Sequence, residues 1–242
     1  PDIKMAYWAG GNPFHHHQDR NRMIKAWQKL ETFVVNECFW TATARMADIV
    51  LPATTSLERD DVSMGGSYSG DYIYAMRKVV DNPYEAKDDY EIFALLAKQF
   101  GDDVYKKFTD GKTPMQHLEA FYAASDGAKV KSFDQFWKDG FVKLEVPAAA
   151  YKYVRHADFR ADPVKNPLKT ESGKIQIFSE KFASYNYTHF KGHVMWNEPY
   201  EYLGSKDKVA KYPLHMLSPH PTYRLHSQLD NTAITKLYKF DN

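Results

Sequence analysis

The sequence predicts an α/β fold built on a parallel sheet, and three observations carry the prediction. Short apolar runs at 3–9 (IKMAYWA), 32–36 (TFVVN) and 48–54 (DIVLPAT) read as strands. Between the first two, 20–30 (RNRMIKAWQKL) places Met23, Ile24, Trp27 and Leu30 at helical spacing; between the second and third, 41–47 (TATARMA) reads as a short helix. Strand, helix, strand, short helix, strand is the order that closes into a parallel sheet with helical crossovers.

The elements follow one another with recognisable punctuation. The first strand ends at Gly10-Gly11-Asn12-Pro13, a turn signal, and the second at Asn36-Glu37. Pro52 stops the third. The stretch 63–72 (SMGGSYSGDY) is rich in Gly and Ser and reads as loop. An amphipathic helix spans 88–101, with Asp88 or Asp89 near its start, Ile92, Phe93, Leu95, Leu96 and Phe100 on its apolar face, and Gly101 as its C-terminal cap. Residues 102–170 carry a weaker signal. There, TPMQHLEAFYAAS is helical with Thr113 as N-cap and Pro114 in the first turn, and SFDQFWKDG forms a second short helix. GKIQIFS (173–179) alternates as a strand, and KYPLHMLSPHP (211–221) reads as another, ending in a Ser-Pro-His-Pro turn.

Composition bounds the function. The 242 residues are 43% hydrophobic and 26% charged, an ordinary globular balance. A formal net charge of +1 supplies no basic field for nucleic acid. No apolar run approaches the ~20 residues that span a bilayer. One cysteine, Cys38, rules out an internal disulfide framework and a CxxC zinc site, and a lone buried thiol is expected to be inert. The chain opens directly on a strand-like run, without Met or leader, which leads us to expect a piece of a longer protein.

The first strand-to-helix turn lies where open α/β sheets bind ligands, at the carboxyl ends of the strands. Gly10 and Gly11 allow close backbone approach, and N–H groups at the following helix suit a phosphate; the same residues also satisfy a plain turn. The spacing is not GxGxxG, so the ordinary dinucleotide fingerprint is absent. His15, His16 and His17 are adjacent and cannot converge on one metal, whereas one of them can donate to a phosphate. Gln18 and Asp19 share that rim. Glu37 stands more than 20 residues after the turn, where an acid reads a ribose or base; a helix-initiating acid reads the same way. Asp88-Asp89 fits an N-cap. The segment 218–228 (SPHPTYRLHSQ) concentrates two histidines, an arginine and a glutamine, as a binding loop or as a surface loop.

Taken in order, GGNPFHHHQDRNRM, ECFWTATARMADIVLPATTSLERDD, EAKDDYEIFALLAKQFG and YPLHMLSPHPTYRLHSQ resemble the dimethyl sulfoxide reductase family of molybdenum enzymes. The similarity is nearest to the trimethylamine N-oxide, dimethyl sulfoxide and biotin sulfoxide reductases. It is dense over 6–101 and 211–231. The resemblance implies a Rossmann-like domain, the third of the family, over 1–205, with a less regular insertion at about 102–170. It implies the first strands of a truncated C-terminal β-barrel domain over 206–242. Its cofactor is a bis(molybdopterin guanine dinucleotide) molybdenum centre, expected to be absent from the isolated fragment. By position, Gly11, Asn12, His16 and Gln18 resemble pterin and phosphate contacts. Asn36 and Glu37 resemble the base reader, at a point where the family more often has Asp. Asp89 resembles a second guanine contact, and His220, Arg224, His226, Ser227 and Gln228 resemble pterin-side and pyrophosphate contacts.

The resemblance implies oxygen-atom transfer from an S- or N-oxide, trimethylamine N-oxide foremost, and reduction by a donor protein such as a c-type cytochrome. It implies a periplasmic location, or a cytoplasmic one for the biotin sulfoxide reductase type. The metal's protein ligand in this branch is a serine that no segment here matches, so the chain alone is expected to be inactive. Two alternatives are a stand-alone guanine-nucleotide-binding module and a fragment of another molybdopterin branch, such as formate dehydrogenase or nitrate reductase.

Overall fold

The computed structural model describes residues 2–65, 70–82, 84–217, 219, 222, 225, 229 and 232–237. The chain divides into two compact units, one of residues 1–146 with 220–242 and one of residues 147–219.

The first unit opens on a parallel three-stranded sheet ordered β1 (Met5–Ala9), β2 (Thr32–Glu37), β3 (Ile49–Pro52). Tyr7 pairs with Val34 and Asn36 with Leu51, so the strand ends fall in register at one edge. β2 is central, and Phe33, Val34, Val35 and Asn36 are all buried; a strand covered on both faces loses the apolar–polar alternation of a half-exposed one. After β1 come a one-turn helix α1 (Pro13–His16) and helix α2 (Arg20–Trp27). Trp27 of α2 packs on Phe33 with ring centres 4.7 Å apart, and Phe14 packs on Trp27 at 5.4 Å. A short α3 (Ala42–Arg45) joins β2 to β3, capped by the Thr41 hydroxyl, which accepts from the Ala44 N–H. Asp48 then ties the connection to β2: its carboxylate accepts from the Phe33 N–H at 2.7 Å while its own N–H donates to the Phe33 carbonyl.

Beyond β3, a single parallel bridge between Ala53 and Lys87 brings the chain back to the sheet and delivers α4 (Asp89–Gln99), with Asp88 as N-cap, to the same edge. Between these points lie β4 (Asp61–Gly65) and β5 (Tyr72–Met76), which join β6 (Phe141–Lys143), from further along the chain, in a second, antiparallel sheet. The run expected as loop at 63–72 therefore contains the end of β4 and the first residue of β5, and its residues 66–69 lie outside the described residues. Helices α5 (Asp102–Thr109), α6 (Pro114–Ala123) and α7 (Phe133–Asp139) complete this region. α6 carries the predicted Thr113 cap, closed into a capping box with Gln116. Ile73, Tyr122, Phe136 and Val142 form its core, with the Tyr122 and Phe136 rings stacked at 4.2 Å. Gly127 lies so close that a Cβ there would stand 3.0 Å from Ile73, Tyr122 and Val142 alike.

Among its described residues the second unit contains only short helices, α8 (Ala157–Ala161), α9 (Glu180–Ser184) and α10 (Lys206–Lys211), with a 3-10 turn at Ala148–Lys152. The strand expected at 173–179 is not formed. Ile175 and Ile177 are 72% and 83% exposed, and no strand pairs with them; an alternating sequence makes a strand only where it finds a ladder partner. Residues 212–217 of the strand expected at 211–221 are likewise unpaired, with Leu214 and Met216 exposed. Among the described residues, 206–242 adds only α10 and α11 (Ala233–Leu237) and no barrel strand. No helix among the described residues is long and apolar enough to cross a membrane.

Candidate functional site

The carboxyl edge of the parallel sheet opens into a cleft of about 800 Å³, in the range of small-molecule and cofactor sites. Its wall is assembled from loops at the strand ends. The turn after β1 contributes Gly10, Gly11 and Asn12, the end of β2 contributes Asn36 and Glu37, and the start of α4 contributes Asp89. Both glycines hold φ at +85°, a conformation that glycine adopts without penalty and that L side chains resist.

Local chemistry fixes this turn. Asn12 and Thr43 are both buried, and the Thr43 hydroxyl donates to the Asn12 side-chain oxygen while accepting from the Phe14 N–H at 3.3 Å. One hydroxyl from α3 thus ties down the loop that follows β1. Glu37 has a related duty. One carboxylate oxygen accepts from the Cys38 N–H at 2.9 Å, and the other accepts from the Thr41 hydroxyl at 2.9 Å. Both oxygens therefore already close the β2-to-α3 turn, though each keeps a lone pair for a ligand.

Asn36 is 4% exposed, and both ends of its amide are engaged. Its oxygen accepts from the Tyr7 hydroxyl at 2.7 Å and its nitrogen donates to one Asp89 oxygen at 2.8 Å. Burial raises the Tyr7 phenol above its ordinary value; the bond to Asn36 opposes this, and the Asp89 charge adds to it. The phenol stays protonated, and hence a donor, throughout the neutral range.

Cys38 is exposed as a residue, contrary to the expected burial, because it stands at the open end of β2 rather than inside the sheet. Its sulfur nevertheless lies 3.5 Å from the Thr54 carbonyl oxygen. Burial there raises the thiol's pKa above its ordinary value; the charges of Glu37 and Asp89 add to this, and Arg59 opposes it. The thiol is accordingly held in its protonated, unreactive form.

Of the residues singled out in the sequence, Gly11, Asn12, Asn36, Glu37 and Asp89 meet in this one cleft. His16 ends α1 and Gln18 lies between α1 and α2; both are exposed and neither lines the cleft. His220, Arg224, His226, Ser227 and Gln228 lie outside the described residues. Among the described residues, no three His, Cys, Asp or Glu side chains converge on a common point.

The structure adds residues that the sequence did not single out. Arg45 brings a cation to the cleft from the end of α3, Thr55 and Ser56 bring hydroxyls, and Trp40, 70% exposed, brings an apolar ring face. An Arg closing a short helix at a strand's carboxyl end is a visible signal, but only once the strand order is known. The donor set suits a pterin nucleotide: glycine N–H groups and Arg45 for phosphate, carboxylates for the N–H edge of a base, an indole for stacking. A Cβ at Gly10 would enter open space, so the backbone there is accessible to a ligand.

Comparisons with known proteins agree in direction. A family model for molybdopterin oxidoreductase matches residues 1–99. The dimethyl sulfoxide/trimethylamine N-oxide reductase of Cereibacter sphaeroides is 51% identical over 98% of the chain. The trimethylamine-N-oxide reductase of Haemophilus influenzae is also 51% identical over 98%, and trimethylamine-N-oxide reductase 1 of Escherichia coli O6:H1 is 42% identical over 95%. The chain spans 29% of the length of the first two and 27% of the third. Among solved structures, acetylene hydratase from Pelobacter acetylenicus superimposes with a TM-score of 0.67 at 20% identity, covering 98% of this chain and 30% of that one.

Proposed function

The chain belongs to the molybdopterin oxidoreductase family, and from that premise we propose that it is the portion of an S- or N-oxide reductase that holds a molybdopterin guanine dinucleotide. One observation carries the reading: the glycine turn, Glu37 and Asp89 line a single cleft at the carboxyl edge of the sheet. Backbone N–H groups of Gly10 and Gly11 would receive the pyrophosphate, with Arg45 balancing its charge. The acidic rim of Glu37 and Asp89 faces the N1 and N2 edge of guanine, and Trp40 covers a ring face. Bound in the whole protein, the molybdenum cofactor supplies the two-electron oxygen-atom transfer that turns an N- or S-oxide into the amine or sulfide. The chain's residues bind and orient it.

On the same reading the substrate is trimethylamine N-oxide or dimethyl sulfoxide, the electrons come from a donor protein such as a c-type cytochrome, and the protein works in the periplasm. Residues 1–205 act as the Rossmann-like dinucleotide domain and 206–242 as the start of the next. The 242-residue chain by itself does not reduce trimethylamine N-oxide.

The test is thermal unfolding of the chain with GDP and with ADP. GDP at 100 times its dissociation constant should stabilise the fold by about 2.7 kcal/mol, with a smaller effect from ADP at the same concentration. Equal shifts, or none, would overturn the guanine assignment. Fractionation of the source cells, with the protein recovered from the periplasm, checks the compartment.

A further inference from the structure

We propose that Tyr7 and Asn36 are positioning residues that hold Asp89 as the carboxylate reading the purine edge, and that Glu37 serves mainly to close the turn beside it. The inference rests on the dinucleotide reading above and names which carboxylate carries its base specificity.

The polarity of the relay has one solution. Asp89 as a carboxylate only accepts, so Asn36 must turn its NH2 toward it, as found at 2.8 Å. That leaves the Asn36 oxygen facing Tyr7, whose hydroxyl must then donate, as found at 2.7 Å. Flipping the amide would set its oxygen against the Asp89 charge. Tyr7 is anchored in turn by the Phe93 ring of α4, 5.3 Å away between centres, so β1, β2 and α4 are joined through side chains. Asn36, nearly fully buried with both ends engaged, is poorly placed to serve a ligand directly.

Asp89 differs from Glu37 in what it has left to offer. Glu37 already takes one protein donor on each oxygen. Among the described residues, Asp89 takes a single side-chain donor, on Oδ1, and Oδ2 takes none. A fixed carboxylate of this kind accepts paired N–H donors side by side. Guanine presents such a pair, whereas the matching edge of adenine places the N1 acceptor against the negative charge. Discrimination of this type depends on holding the carboxylate plane, which Asn36 does directly and Tyr7 does through Asn36.

The experiment is calorimetric titration of the chain with GDP and with ADP, on the unmodified protein, Tyr7→Phe, Asp89→Asn and the double variant. The unmodified chain should prefer GDP. Tyr7→Phe, which removes one oxygen from a ring that stays packed, should weaken GDP about threefold to tenfold and leave ADP unchanged, the range set by one hydrogen bond. Asp89→Asn should abolish the preference, and adding Tyr7→Phe to it should change nothing further. If Tyr7→Phe weakens both nucleotides alike, or costs the same in the Asp89→Asn background, its role is structural only and the relay is refuted. A chain with no GDP preference before any substitution would instead overturn the dinucleotide reading itself.

Discussion

The tie between Thr43 and the glycine turn can be tested by removing one oxygen atom. Thr43→Val keeps the shape of a fully buried side chain and deletes its hydroxyl. Two bonds go with it, the one donated to Asn12 and the one accepted from the Phe14 N–H. Leaving the Phe14 N–H without its acceptor costs about 1–3 kcal/mol, and losing the Asn12 bond about 0.5–1.5 kcal/mol. The sum is roughly 1.5–4.5 kcal/mol. Thr43→Ser keeps the hydroxyl and loses one methyl, worth about 0.8 kcal/mol. Hydrogen exchange of the Val34 and Val35 amides, in the buried central strand, reads the opening of this unit. Thr43→Val should speed that exchange by about 13-fold at the lower end of the range and about 2,000-fold at the upper, at 1.36 kcal/mol per decade. Thr43→Ser should speed it by less than about tenfold on the same scale. If the two variants exchange within threefold of each other, the hydroxyl does not hold the turn, and the account of why Gly10 and Gly11 stay in place is wrong.

Three further outcomes follow from the same geometry. Gly10→Ala should destabilise the chain by about 1–2 kcal/mol in urea unfolding, because φ is +85° and no neighbour stands within 4 Å of the new Cβ. Gly11→Ala should cost at least as much, since its Cβ would also stand 3.2 Å from the Trp8 indole nitrogen; a Gly10→Ala variant more stable than the parent would contradict the strained turn. Cys38 should alkylate with iodoacetamide only as pH rises past the ordinary thiol range, because burial and then Glu37 favour the neutral form and the thiolate appears late. Glu37→Gln should move that midpoint down, and a midpoint below that of a free thiol would reverse the sign argued here. Phe136→Ala removes a fully buried ring stacked on Tyr122 and should cost about 3–5 kcal/mol, read from the fluorescence of neighbouring Trp137 during urea unfolding. A loss under about 1 kcal/mol would show that the core around β5 and β6 is not close-packed.

The parallel sheet was legible because its strands are continuous apolar runs separated by helical periodicity; that TFVVN is the central strand came from the structure. Two helices between 89 and 139 were legible through their caps: Asp88 and Thr113 each accept from the backbone N–H three residues on. The helix at 102–109 was not, because Gly101 offers it no side-chain cap, and the Ser132 cap of α7 emerged only from the structure. The antiparallel sheet was not legible either. β4 reads DVSMG, and the Tyr74 ring of β5 lies across its Gly65, where a Cβ would fall 2.0 Å from a ring carbon. That is a cross-strand relation, invisible to local pattern. The reverse error, a strand assigned to GKIQIFS, has the same origin: alternation states what a segment can do, and a partner decides whether it does.

The site divides along the same line. From residue pattern alone the Gly10-Gly11 turn and Glu37 read equally as a ligand edge or as a plain turn with a helix-initiating acid, and Asp89 read as part of an N-cap; the family resemblance is what singled out Gly11, Glu37 and Asp89 together. What the sequence could not distinguish is the state of each acid. Glu37 and Asp89 are both carboxylates at the mouth of one sheet, yet one is drawn into its own turn by Cys38 and Thr41, and the other is held by an amide that reaches across from a neighbouring strand. Tyr7 and Asp89 stand 82 positions apart, and only the pairing of β1 with β2 and the return of the chain at Lys87 bring them within two hydrogen bonds of each other. A role that depends on such a join is a property of topology. A Tyr in an apolar strand reads as core from every local signal, and becomes a positioning residue only when the register sets its hydroxyl against an asparagine that has a carboxylate to serve.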